Sequence, residues 1–174
     1  MEKRPATEAN DLITALGYLC MGSRLKRLGE QMQSGVAAIL EQQGLDVQPA
    51  QLPLLVALEE GGPLTIGTLG MRVGISQPGI TRALARLETL GLVAPASSDH
   101  SDRRRHPVML TPTGARLIRD LRSNLFPAVE QAVGALCRHA SEDILGAIGE
   151  IEEGLHEESL DSRISRAFER TAND

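Results

Sequence analysis

Apolar residues recur at helical spacing through most of this chain, and the spacing breaks in one informative place. Leu12, Leu16, Leu19, Leu28, Met32, Val36 and Leu40 predict a first helix over about residues 11–43. Ile66, Leu69 and Val73 predict a short helix with Thr65 as its N-cap and Gly74 as the left-handed stop. Ile80, Leu84 and Leu87 repeat at i, i+4 and i+7 and predict a second. Ser76 stands at its cap, Pro78 lies in its first turn, and Gly91-Leu92 closes it. Two short strands are expected next, over 92–97 and 106–111, each kept short by a proline, Pro95 and Pro107. Thr111 and Pro112 then cap and open another helix. Leu117, Leu121, Leu125 and Val129 mark a single helix, and Ile144, Ile148, Ile151 and Leu155 mark the next, with Ser141 as its cap. Leu160, Ile164 and Phe168 predict a last amphipathic turn or two in a highly charged tail.

Two helices parted by a glycine turn and followed by a hairpin form a winged helix-turn-helix, an arrangement that puts one helix into a DNA groove. The polar positions agree with that use. Gln77, Thr81, Arg82 and Arg86 share the face opposite the Ile80–Leu87 stripe and are the expected major-groove residues, with Pro78 beside them. Ser76 and the helix N-terminus would hold a phosphate. The hairpin tip carries Arg103, Arg104 and Arg105, suited to phosphates or a narrow minor groove, with Asp102 expected to orient a neighbouring arginine.

These residues resemble the MarR family of bacterial transcriptional regulators. The matching marks are Leu69 with Gly74-Ile75-Ser76, then Ile80-Thr81-Arg82, Leu87-Glu88 and Gly91-Leu92-Val93. Asp102-Arg103-Arg104 and Leu110-Thr111-Pro112-x-Gly114 complete the series in order. The likeness spans about residues 12–155, including a Gly44-Leu45 break and Pro49-Ala50-Gln51-Leu52 opening a helix. It departs at Ala94-Pro95, where the family commonly has a charged residue and an arginine, and at Gln48, which replaces a Ser or Thr cap. Gly67 and Gly70 stand where alanine or a charged residue is commoner, and would loosen their helix. The resemblance implies a mainly α (α+β) fold: one MarR-type domain over 1–174, with a winged helix-turn-helix lobe at 46–114. Long dimerisation helices would occupy 11–45 and 115–168. It further implies a homodimeric repressor acting on an inverted-repeat operator in double-stranded DNA. Its effector would be a small, often phenolic or anionic ligand held between the dimer helices and the DNA-binding lobe. With Tyr18, Phe126 and Phe168 as the only aromatics, no pocket for one can be drawn.

Charge changes the picture only once it is divided. The net charge of −5 looks wrong for a DNA binder. Residues 64–114, however, hold six arginines against three acids, while the remainder holds twelve basic and twenty acidic residues. Only the surface near phosphate has to be positive. The alternative is a winged-helix protein-interaction module without DNA binding. Aromatic content of 2% makes the core aliphatic. Two cysteines, Cys20 and Cys137, suit a reducing cytoplasm; Cys20 is expected to be a buried core thiol. His100, His106, His139 and His156 show no ligand spacing, so neither a metal nor a cofactor is expected. His139 reads as a helix C-terminal residue. Residues 1–10 are polar rather than leader-like, and no apolar run is long enough to span a membrane. There is no nucleophile elbow, phosphate-cradling loop or metal motif, so no enzyme is expected.

Overall fold

The computed structural model describes residues 11–96 and 107–172, and the chain divides into two compact units, 1–122 and 123–174. In the first unit, Asp11 opens α1 (Leu12–Ala15) by accepting from the Ile13 N–H at 3.2 Å. The chain then makes a 3-10 turn over Gly17–Cys20 before α2 (Met21–Gln42). The expected single first helix is therefore broken. Gly17 takes φ +55°, a conformation that ends one helix before the next begins. Arg27 of α2 reaches back to the Asp11 carboxylate at 2.7 Å and fastens the short helix to the long one.

Gly44 ends α2 at φ +71°, and the Leu45 N–H returns to the Leu40 carbonyl at 2.9 Å, a glycine C-cap. A 3-10 turn over Pro49–Gln51 leads into α3 (Leu52–Gly61), which buries Leu52, Leu54, Leu55, Ala57 and Leu58. Leu54, Leu55 and Leu58 of α3 are at most 2% exposed, and they anchor the core. α4 (Ile66–Val73) adds Ile66 and Leu69 to it, α5 (Gln77–Thr89) adds Ile80, Leu84 and Leu87, and the hairpin adds Val93 and Val108. Ile118 and Leu121 of α6 (Pro112–Ser123) are likewise buried. Each such aliphatic side chain contributes about 1.5–3 kcal/mol by leaving water. The core is therefore built from branched aliphatics, in keeping with the low aromatic content.

The hairpin consists of β1 (Val93–Pro95) and β2 (Val108–Leu110), paired antiparallel with Val93 opposite Leu110 and Pro95 opposite Val108. Both strands are three residues long, shorter than the spans expected. Val108 also exchanges two backbone hydrogen bonds with Leu64, at 2.8 and 3.0 Å, on its other side.

The second unit contains α7 (Leu125–Ala140), α8 (Ile144–Glu157) and α9 (Leu160–Ala172). Leu121 and Leu125 thus fall on two helices rather than one. Pro127 explains the break: its ring has no N–H to give to the Ser123 carbonyl and would collide with it, so the helix stops at Ser123 and restarts. The cap of α8 is Asp143, whose carboxylate accepts from the Gly146 N–H at 3.0 Å, and not Ser141, which ends α7. Asp143 sits immediately before the first helical residue, where a cap must be. His139 does lie in the last turn of α7. The tail forms a full thirteen-residue helix, longer than the turn or two expected. Arg163 supports it by donating to the Gly154 and Glu158 carbonyls at 2.6 and 3.0 Å; the Gly154 carbonyl also accepts the Glu158 N–H at the end of α8. Few apolar residues of this unit are covered. Leu145, Ile148, Ile151 and Leu155 of α8 and Leu160, Ile164 and Phe168 of α9 are all exposed. Cys20 and Cys137 are both half-buried, so Cys20 is not the core thiol expected; it sits at the entry to α2, outside the aliphatic core.

Candidate nucleic-acid interface

The site is assembled from α4, the turn after it, α5 and the hairpin. Thr65 caps α4, its hydroxyl oxygen accepting from the Thr68 N–H at 3.2 Å. Gly74 then turns the chain at φ +69°. The turn is tight because of Gly70: a Cβ there would lie 3.1 Å from the Ile75 carbonyl oxygen. Gly70 therefore lets the backbone close on itself, and the looseness expected of this helix is not its main effect.

Ser76 takes the N-cap position of α5 with an extended backbone, yet its hydroxyl makes no capping hydrogen bond. The expected side-chain cap is absent for a local reason. A capping oxygen bonds the second or third N–H of the helix. Pro78 removes the second, which leaves only that of Gly79. Pro78 is in the first turn, as expected.

With Ile80, Leu84 and Leu87 at 0–3% exposure, α5 is held by one stripe and presents the other. Gln77, Thr81, Arg82 and Arg86 are all exposed. Four residues of this helix, Gln77, Pro78, Thr81 and Arg82, line an open cleft of about 960 Å³ together with the start of α4 at Thr65, Ile66 and Gly67. The Thr81 hydroxyl donates to the Gln77 carbonyl at 2.9 Å. That fixes its rotamer and leaves an oxygen lone pair and a methyl group facing outward. Among the described residues, Arg82 makes no ion pair. Arg86 differs from the other three. Its Nη2 donates to the Asp46 carboxylate at 2.5 Å and to the Asp46 carbonyl at 3.4 Å.

The hairpin root is firm. Thr111 donates its N–H to the Leu92 carbonyl at 3.0 Å and its hydroxyl to the Gly91 carbonyl at 2.6 Å, while accepting from the Gly114 N–H at 3.1 Å. Gly91, at φ +66°, closes α5 with the Leu92 N–H on the Leu87 carbonyl. Asp102, Arg103, Arg104 and Arg105 lie outside the described residues, as do His100 and His106.

Sequence reasoning missed Asp46 and Gln51. Gln51 is the one buried polar side chain among the described residues, 3% exposed. Its Oε1 accepts from the Gln48 N–H at 2.9 Å and its Nε2 donates to the Ala83 carbonyl of α5 at 3.4 Å. The Asp46 and Gln51 contacts join positions 40 and 32 residues apart, beyond the reach of any local pattern. Thr65 and Gly67 join the cleft from the preceding helix, a shorter separation but still outside the α5 pattern.

Among the described residues no helix is long and apolar enough to cross a membrane, and no group of three or more His, Cys, Asp or Glu is placed to hold a metal ion.

Comparison with known proteins agrees with this geometry. Residues 37–105 match the model of the MarR family. The uncharacterized HTH-type transcriptional regulator YcgE of Bacillus subtilis (strain 168) is 34% identical over 106 residues, which span 61% of this chain and 66% of that protein's length. The S. aureus MepR–DNA complex superposes with a TM-score of 0.62 at 23% identity, covering 78% of this chain and 98% of MepR. NadR in complex with 4-hydroxyphenylacetate superposes with a TM-score of 0.52 at 25% identity, over 78% of this chain and 98% of NadR. Shared fold, matched winged-helix region and sequence relative agree, and the chain belongs to the MarR family.

Proposed function

We propose that this protein is a sequence-specific DNA-binding transcriptional regulator, a repressor that acts as a homodimer on an inverted-repeat operator. The observation that carries the reading is the free face of α5: Gln77, Thr81 and Arg82 stand exposed on a helix whose other face is locked into an aliphatic core. Those side-chain types read base edges. Arginine forks onto guanine, glutamine pairs with adenine, and a threonine methyl meets the thymine methyl. Thr81 suits the last role, because its hydroxyl proton is already spent on the helix. Ser76 and the first N–H groups of α5, left without a side-chain cap, serve a phosphate. Arg86 adds a backbone contact beside them. Arg103, Arg104 and Arg105, oriented by Asp102, serve the wing. MepR, which shares the fold, has been seen with DNA bound.

The homodimer is supported by unpartnered apolar faces. Leu25 and Leu28 on α2, the Leu145–Leu155 face of α8 and the Leu160–Phe168 face of α9 are all exposed. A soluble protein seldom leaves such surfaces to water, and a two-fold copy covers them while spacing two α5 helices about 34 Å apart. A small-molecule effector completes the reading; NadR, at 25% identity, was seen with 4-hydroxyphenylacetate. On this reading the working protein is cytoplasmic, with DNA as its partner and no membrane.

Selection of bound sequences from a random duplex pool tests the reading. The expected product is an inverted repeat, retained with strong salt dependence. Recovery of unrelated sequences, or no retention at low salt, points instead to a protein-interaction module.

A further inference from the structure

We propose that Asp46 occupies the place of a nucleic-acid phosphate on Arg86 and thereby sets the affinity of the protein for any duplex. This rests on the DNA-binding reading above and adds a residue to it. Arg86 lies one helical turn beyond Arg82 on the exposed flank of α5. A single guanidinium nitrogen is engaged twice by Asp46, through the carboxylate and through the carbonyl. The loop that carries Asp46 is held in place. Gln51, five residues on and buried, is hydrogen-bonded to Ala83 of α5, nearly one turn before Arg86. The Asp46 carboxylate is therefore presented to Arg86 at a set position.

Carboxylate and phosphate offer a guanidinium the same kind of acceptor. The two side chains of the pair are 42% and 75% exposed, so the pair is weak and a duplex can displace Asp46. The exchange nevertheless changes the ion balance. When Arg86 leaves Asp46 for a phosphate, one cation leaves the DNA and one is taken up by the freed carboxylate. The contact then adds affinity but almost no salt dependence. With a neutral residue at position 46, the uptake disappears and the full release of about 0.9 counterions per contact is felt.

The test is a salt titration, from about 50 to 200 mM, of the full-length protein against its selected operator and a scrambled duplex. Parent, Asp46→Asn, Arg86→Ala and the double variant are compared, with Asp46→Ser as a second neutral replacement. Asp46→Asn is expected to tighten both duplexes roughly two- to fivefold at the low-salt end, the worth of an exposed ion pair. It should steepen the salt slope by about 0.9, and neither change should occur in the Arg86→Ala background. A gain that persists without Arg86 is a general charge effect and overturns the proposal. So does weaker binding by Asp46→Asn and Asp46→Ser, which would make Asp46 a positioning residue for Arg86. Unchanged binding overturns it too, since Arg86 would then meet no phosphate. A parent that binds neither duplex removes the DNA-binding reading itself.

Discussion

Gly114→Ala tests the fold where the wing joins the body. Gly114 is buried at the third position of α6, under the end of α5. A Cβ built there lies 2.0 Å from the Leu92 carbonyl oxygen and 2.9 Å from its carbon. Carbon and oxygen settle at about 3.3 Å or more, so over an ångström of backbone separation is needed. The Leu92 carbonyl is the acceptor for the Thr111 N–H, and Thr111 also bonds Gly91, so both contacts stretch when the backbones part. Each hydrogen bond is worth about 1 kcal/mol and overpacking costs about 1–3 kcal/mol. Together they give a loss of roughly 3–5 kcal/mol, or about 6–20 °C in Tm for a chain of this length. Circular dichroism melts and urea titrations measure it. Gly149→Ala is the control: that glycine sits mid-helix in α8 with nothing within 4 Å of an added Cβ. Relief of glycine's helix penalty should raise stability there by about 0.5–1 kcal/mol. A Gly114→Ala protein that melts within 2–3 °C of the parent, on the scale of about 1 kcal/mol, would refute the packing argument.

Arg82→Ala should cost about 1–3 kcal/mol on the selected operator and relax its sequence preference, whereas Arg104→Ala should weaken all duplexes evenly and lower the salt slope by about one; equal, sequence-independent losses would remove base reading by Arg82. Ile148→Asp places a carboxylate in the exposed α8 stripe, and sedimentation should show the parent dimer giving way to monomers at micromolar concentration; an unchanged dimer would place the interface elsewhere. The Asp11 carboxyl is held well below the usual carboxylate range, first by the Arg27 guanidinium and then by the Thr14 hydroxyl. A lowered folded value stabilises above the unfolded one, near pH 3.9, and is lost as the pH falls through the folded one. Carboxyl NMR should therefore show Asp11 silent around pH 4 in the parent and titrating at a higher pH in Arg27→Ala, still below the usual carboxylate range because the Thr14 bonds remain.

The helix-turn-helix was legible because its punctuation is local. Thr65, Gly74, Pro78 and Gly91 act within four residues of where they stand, as does Thr111 in capping α6, and each does what its chemistry suggests; the bonds from Thr111 to Gly91 and Leu92 are the long-range exception. Apolar periodicity alone was a poorer guide. Leu121 and Leu125 keep perfect spacing across a helix break, because a stripe continues through Asn124 while the backbone, obeying Pro127, does not. Gly17 hid in the same way inside the first helical pattern. Asp143 and Ser141 are both good caps, and only the position of the first helical residue chose between them. What could not be read was whatever depends on two distant segments: Asp46 on Arg86, Gln51 on Ala83, and the approach of Leu92 to Gly114. Gly114 was visible as a motif position, but its reason is the Leu92 carbonyl just before β1.

The β2 strand has a partner on both sides: Val108 exchanges its two backbone hydrogen bonds with Leu64 on one, and β1 pairs with the strand on the other. The described pairs that set the register at the root of the wing all lie outside the ten residues between Ala96 and Pro107. Those ten can be exchanged for another sequence, or doubled in length at a closure cost of about 0.6 kcal/mol, while the root keeps its partners. If the proposed DNA-binding role holds, an operator preference becomes something to rewrite on α5 or in the exchanged segment one at a time.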